Sequence, residues 1–259
     1  GDYTITDNAA AVAGSSTALL GDSDSVLVTG VADATQGVTI NGFENSLGTI
    51  TFNVVDSASA LASANAANSG ALNLADDVSV GAIGDNDLTV DEADDLNLIT
   101  GYKNTGGYTI TDDATAVAGS STIILGDSSS VTVTGVADAS QGVTINGFEG
   151  TLGTITFNVE DSATNLSANA ANLDLADVVS VDTTAGTTEN DLTVDEADDL
   201  NSIPGYDHAR DYTITDNAAA VAGSSTTLLG DAISVSVTNN ADATQGVTIN
   251  GFEDTLGTI

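Results

Sequence analysis

Residues 3–13, YTITDNAAAVA, and residues 52–62, FNVVDSASALA, align without a gap, and this match decides the fold. Each stretch alternates apolar and polar residues, ends the alternation on Asp and runs into alanines. Alternation predicts a strand with one buried face, and the alanines predict a helix because Ala loses least on entering one. An Asp between the two predicts an N-cap contributing about 1 kcal/mol. The pattern returns at Tyr108, Phe157 and Tyr212, so that Asp7, Asp56, Asp112, Asp161 and Asp216 fill one slot. A period of about 50 residues marks stacked or arrayed modules, and a module so small needs its neighbours to bury a core.

The modules come in pairs. Tyr3, Tyr108 and Tyr212 lie 105 and 104 residues apart, while consecutive modules are 49 apart within a pair and 56 or 55 apart across pairs. This predicts a double repeat over 1–106 (coils 3–51 and 52–102), a second over 107–210 (coils 108–156 and 157–206) and a partial third over 211–259. The last copy stops after LGTI where the earlier ones continue into TFNV, as expected of a window cut from a longer array.

A second strand is predicted where Val26 and Val28, Val78 and Val80, Val131 and Val133, Val179 and Val181, and Val235 and Val237 alternate with small polar residues. A third is predicted at VTI (Val38, Val143, Val247) and at LTV (Leu88, Leu192), followed by a short helix. That helix is expected to start on a capping pattern: Asn41 with Glu44, Asp91 with Asp94, Asn146 with Glu149, Asp195 with Asp198, and Asn250 with Glu253. Strand-helix-strand-strand-helix, repeated, predicts an α/β fold, an elongated solenoid of about five coils with parallel sheets. The alternative is a string of pseudo-symmetric domains of about 105 residues, joined at KNTG (103–106) and DHAR (207–210). All ten aromatic residues fall on repeat slots: Tyr3, Phe52, Tyr108, Phe157 and Tyr212; Phe43, Phe148 and Phe252; Tyr102 and Tyr206. Recurrent placement predicts core staples.

With 38 acidic residues against 2 basic ones, the chain carries a net charge of −36. That excludes binding to nucleic acid or to an anionic membrane. Nor is there a run of about 18 apolar residues, so no membrane insertion is expected. Cysteine is absent, which removes disulfides, thiol chemistry and zinc–thiolate sites.

Repulsion at this density has to be screened, or bridged by divalent cations, and the aspartates gather in two loop classes. One precedes the second strand: Asp22 and Asp24, Asp76 and Asp77, Asp127, Asp177 and Asp231. The other follows it: Asp33, Asp85 and Asp87, Asp138, Asp182 with Glu189, and Asp242. Stacked coils would bring matching carboxylates together, and calcium, which takes six to eight oxygens in flexible geometry, is the cation expected there. The candidate metal ligands are Asp22, Asp24, Asp76, Asp77, Asp85, Asp87, Asp127, Asp177 and Asp231; the other reading is solvated turn aspartates. No catalytic residues are expected: His208, the one histidine, lies in a junction beside Arg210, Lys103 lies in the matching junction, and no nucleophile–base pattern recurs with them.

The tandem form Y-x-I-T-D-x-A-x-A-V-A, then S-V-x-V-T, then L-T-V-x-E-A-x-x-L resembles repeats of very large secreted bacterial surface proteins, of adhesin, surface-layer and extracellular-filament type. GAIGDNDLTV (81–90) resembles, in a single copy, the Gly- and Asp-rich nonapeptide of RTX proteins. This resemblance implies an extracellular or cell-surface location, export by a type I route and folding on external calcium. The expected function is a structural segment of a surface array, spacer or filament, with copies of itself or neighbouring repeats as partners. The alternative is an adhesion module that binds a glycan or a cell-surface partner through exposed loops.

Overall fold

The computed structural model describes residues 3–48, 50–103, 107–153, 155–186 and 188–256. The first module holds β1 (Thr4–Asn8), α1 (Ala9–Ala13), α2 (Thr17–Gly21), β2 (Ser25–Thr29), α3 (Ala34–Leu47) and β3 (Ile50–Thr51), and the second β4 (Asn53–Asp56), α4 (Ala58–Ala67), β5 (Asp77–Val80), β6 (Asp87–Leu88) and α5 (Val90–Asn97). The third repeats the first with β7 (Thr109–Asp113), α6 (Ala114–Gly119), α7 (Thr122–Gly126), β8 (Val131–Thr134), α8 (Ala139–Leu152) and β9 (Ile155–Thr156). The fourth repeats the second with β10 (Asn158–Asp161), α9 (Ala163–Ala168), β11 (Val178–Val181), β12 (Asp191–Leu192) and α10 (Val194–Asn201). The fifth holds β13 (Thr213–Asp216), α11 (Ala218–Gly223), α12 (Thr226–Asp231), β14 (Ser234–Val237) and α13 (Ala243–Leu256).

The chain is a mixed α/β protein with parallel sheets, in two compact units: Gly1–Asp112 with Gly119–Thr132, and Asp113–Ala118 with Val133–Ile259. In the first unit β1 pairs with β2 (Ile5 opposite Val26), β2 with β3 (Val26 opposite Ile50), β4 with β5 (Val54 opposite Val78) and β6 with β7 (Leu88 opposite Ile110), all parallel. In the second, β10 pairs with β11 (Val159 opposite Val179), and β13 lies between β12 and β14 (Ile214 opposite Leu192 and Val235), again parallel. Within the first unit α1 packs on α3 and α4 on α5; within the second α9 packs on α10 and α11 on α13. One valine of each second strand, Val26, Val78, Val131, Val179 and Val235, and one Leu per module, Leu20, Leu72, Leu125, Leu173 and Leu229, form the recurrent core.

The structure corrects four expectations. VTI at Val38, Val143 and Val247 is helical, inside α3, α8 and α13, so the Tyr-led modules run strand-helix-helix-strand-helix. The helix starts earlier because Asp33 with Gln36 and Asp138 with Gln141 form complete capping boxes, and burial of Ile40 and Ile145 outweighs the modest helix penalty of β-branched residues. Consequently Asn41, Asn146 and Asn250 stand in mid-helix, and in the Phe-led modules the cap is Thr89 with Glu92 and Thr193 with Glu196, two residues ahead of Asp91 and Asp195. The alanine stretch of the Tyr-led modules breaks into two short helices, the second capped by Ser16, Ser121 or Ser225.

The strand-exit aspartates do not cap the helix that follows them, since the residue after each does so: Asn8, Ser57, Ser162 and Asn217 are the N-caps. Of the aromatic staples, Phe52, Tyr108, Phe157, Tyr206 and Tyr212 are buried, Phe43, Phe148 and Phe252 are half-buried, and Tyr3 is 48% exposed.

Candidate functional site: the junction between modules

Freed from capping their own helix, the strand-exit aspartates reach back to the preceding module. Asp56 Oδ2 accepts from the Ala34 N–H, Asp112 from Val90 and Asp161 from Ala139, each at 2.9 Å, and Asp216 from Val194 at 3.0 Å. Each donor is the first residue of a helix, where the N–H has no partner inside the helix and the dipole favours an anion. Donor and acceptor are 22 residues apart in every case. Two residues before each donor, a parallel pairing has the same offset: Ala32 with Val54, Leu88 with Ile110, Ala137 with Val159, Leu192 with Ile214. Thus one junction occurs four times, twice within each unit.

A second polar contact lies at the eighth residue of each helix, which is always Asn. On the helices of the Tyr-led modules, Asn41 and Asn146 accept from the backbone N–H of Leu74 and Leu175 at 2.9 and 2.8 Å. On those of the Phe-led modules, Asn97 and Asn201 donate to the hydroxyls of Tyr108 and Tyr212 at 3.5 and 2.9 Å. Burial pushes the Tyr108 hydroxyl up to about 12, against the lowering effect of the Asn97 bond and with a smaller contribution from Asp127.

Between these contacts the helix meets the strand without a side chain of its own. A Cβ on Gly37 would fall 2.7 Å from Val54 Cγ2 and 3.0 Å from Leu72 Cδ2, and one on Gly142 would meet Val159 and Leu173 at the same distances. Asn86 and Asn190 complete the Phe-led modules by accepting the first N–H of α4 and α9.

The candidate metal ligands have different surroundings, and the carboxylates of Asp76, Asp177 and Asp85 hold backbone N–H groups. Asp76 and Asp177 each exchange two bonds with the main chain of Phe52 and Phe157: the carboxylate accepts at 2.9 and 2.8 Å, and the N–H donates at 2.9 Å. Asp87 Oδ1 accepts from the Thr109 and Thr111 hydroxyls, and Asp85 Oδ1 accepts from the Asp87 N–H. Asp22 and Asp127 are C-caps of α2 and α7, and the Asp24 N–H donates to the Tyr3 carbonyl. Asp77 pairs with Lys103, and Asp231 Oδ2 lies 3.5 Å from His208 Nδ1. Among the described residues no three His, Cys, Asp or Glu side chains converge to hold one metal ion.

Four carboxylates are perturbed, Asp211 among them, raised by burial and then by the neighbouring Asp207. Burial, and secondarily the neighbouring carboxylate of Asp76 or Asp177, raises Glu44 and Glu149 above the usual range, and each has an enclosed Oε2 without a hydrogen-bond donor among the described residues. Asp182 is lowered, first by the Thr184 hydroxyl and then by its N–H.

The hollows carry little chemistry of their own. One of about 320 Å3 is lined by Asp161, Asp182, Glu189 and small polar residues. Another, of about 510 Å3 between α3 and α4, is walled mainly by alanine and threonine. Beside His208, whose ring meets Tyr206 edge-on at 4.8 Å, Ser225 is occupied as the α12 cap. No helix among the described residues is long and apolar enough to cross a membrane. Set against protein-family models, curated proteins and solved structures, the chain matches none.

The sequence signalled the aspartate slot and its period, but assigned it to the wrong helix. Asn41 and Asn146 were read as helix caps rather than junction contacts, and Asn97, Asn201, Gly37 and Gly142 were missed, although the recurring QGVTING sets Gly37 and Gly142 four residues before those asparagines.

Proposed function

We propose that the chain is a structural repeat segment of a large extracellular protein, a spacer or surface-array component in which modules add one after another as an α/β solenoid. The observation that carries this is the junction itself: four copies, one 22-residue offset, the same Asp-to-helix bond and the same Asn position. A site evolved for chemistry is built once from unlike residues, whereas here the recurring feature is the means of attaching the next module. The acidic side chains that remain give a highly charged exterior suited to salty surroundings, with cations, calcium among them, acting on it from solution.

Small-angle scattering on the chain, and on versions lengthened by whole double modules, tests the reading. A compact protein of this length has a radius of gyration of about 18 Å. The spacer reading expects a clearly larger value that increases by a constant step with each added pair; a value near the compact one, growing only slowly with length, refutes it.

A further inference from the structure

We propose that the peptide bond between Arg210 and Asp211 is a processing site, at which an endopeptidase specific for basic residues opens the array between double modules while leaving the modules folded. This goes beyond the spacer reading, since it concerns how an array is divided and not how it is built.

Lys103 and Arg210 are the two basic residues of a 259-residue chain, and they lie in the four-residue joints KNTG (103–106) and DHAR (207–210). The modules themselves offer an enzyme of this specificity no bond to cut. Asp207, His208, Ala209 and Arg210 are all exposed and belong to no helix or strand. Between the Asp207 N–H, which donates to Val179, and the Tyr212 carbonyl, which accepts from Ile233, the chain makes no main-chain hydrogen bond among the described residues. His208 and Arg210 have φ of 52° and 62°, a left-handed backbone that is unfavourable for residues with side chains. Drawing the stretch out into a protease cleft therefore relieves strain. It gives up the bond from the Ala209 N–H to the Asp207 carboxylate, at 3.2 Å, and the edge-on contact of His208 with Tyr206.

The anchors on either side stay in place. Tyr206 and Tyr212 are buried. The fifth module is held to the fourth by the pairing of β12 with β13, by Asp216 on the Val194 N–H and by Asn201 on the Tyr212 hydroxyl. None of these contacts involves residues 207–211, so they survive the cut. Hydrolysis adds water across the bond: the C–N bond breaks, Arg210 keeps a carboxylate and Asp211 an ammonium group. The matching joint is held more firmly, because the Lys103 N–H donates to the Val78 carbonyl at 2.9 Å and its side chain pairs with Asp77.

The experiment uses trypsin as the probe and mass spectrometry to follow each bond. An enzyme that recognises a basic side chain with a carboxylate of its own is opposed by Asp211 beside the cut, whereas Lys103 has no acidic residue within two positions. In synthetic peptides 98–108 and 205–216, the bond after Lys103 should therefore be cut faster. In the native full chain the order should reverse, with the Arg210 bond cut about tenfold faster or more, at a rate that low urea leaves unchanged, because cutting that requires opening follows the open population. The nicked chain should keep its circular dichroism spectrum, and Arg210→Gln should abolish this cut. Cutting first after Lys103, a rate that climbs steeply with urea, or loss of the spectrum on nicking overturns the proposal, as does a native chain that trypsin leaves whole. A whole chain that still shows the extended scattering radius leaves the spacer reading standing, so the two failures are distinguishable.

Discussion

Gly142→Ala and Gly246→Ala are the same substitution in the same local sequence, QGVTING, and should have opposite effects. Replacing Gly by Ala inside a helix stabilises by about 1 kcal/mol from propensity alone. At Gly246 nothing among the described residues lies within 4 Å of the new methyl, so that gain should appear in full. At Gly142 the methyl would lie 2.7 Å from Val159 Cγ2 and 3.0 Å from Leu173 Cδ2, both on buried side chains with nowhere to move. Overpacking of this kind costs about 1–3 kcal/mol, so the net effect runs from about zero to about 2 kcal/mol destabilising. Subtracting one variant from the other cancels the shared propensity and isolates the packing of one module on the next, about 1–3 kcal/mol. Repeat chains can unfold in stages, so global denaturation is a poor readout; native-state hydrogen exchange of the α8 and α13 amides reports each helix separately. Gly147→Ala, whose methyl would also meet nothing within 4 Å, is the control on α8. Equal stabilisation at Gly142 and Gly246 would show that Val159 and Leu173 do not sit against α8, and the junction argument would fail with them.

Three further outcomes follow from the same geometry. Asp161→Ala strips the acceptor from the Ala139 and Ser162 N–H groups and should destabilise the second unit by about 2–3 kcal/mol, whereas Asp7→Ala, which breaks only local bonds, should cost about 1 kcal/mol or less; urea titration of the two variants compares them. Glu44 and Glu149 bind their protons more tightly folded than unfolded, so this part of the stability is complete below the ordinary glutamate range and is lost as pH rises through the raised values; Glu44→Gln with Glu149→Gln should raise the thermal midpoint at neutral pH and flatten its gain on mild acidification, and an unchanged pH profile would contradict the assignment. Because Asp76, Asp177 and Asp85 already hold backbone and no three carboxylates converge among the described residues, NaCl should raise the thermal midpoint while a chelator at constant ionic strength leaves it unmoved; a midpoint that drops with chelator would put calcium back at those loops.

Much of the fold was legible because the period was. Alternating valines, alanine stretches and the Asp slot identified the strands and first helices, and parallel pairing followed from modules too small to stand alone. The errors arose where two local signals competed. VTI has strand propensity, but a capping box upstream and a core position for Ile40 or Ile145 decide for helix, and neither can be weighed from a three-residue motif. Asp56 and its equivalents look like caps and are caps, yet of a helix 22 residues earlier in the chain, which only the folded register brings within 2.9 Å. The glycines were silent because a residue that matters by having no side chain leaves no pattern except its recurrence.

The two kinds of junction differ in a way that encodes the order of modules. Where a Tyr-led module precedes a Phe-led one, the helix presents Gly37 or Gly142 and the incoming strand presents Val54 or Val159. Where the order is reversed, the same helix position is Ala93 or Ala197, the strand residue is Ile110 or Ile214, and all four are fully buried. The polar contact changes as well, from Asn binding a backbone N–H to Asn donating to a tyrosine hydroxyl. Since an added methylene in a filled seat and a missing one both cost about 1 kcal/mol or more, each helix prefers the partner type that follows it.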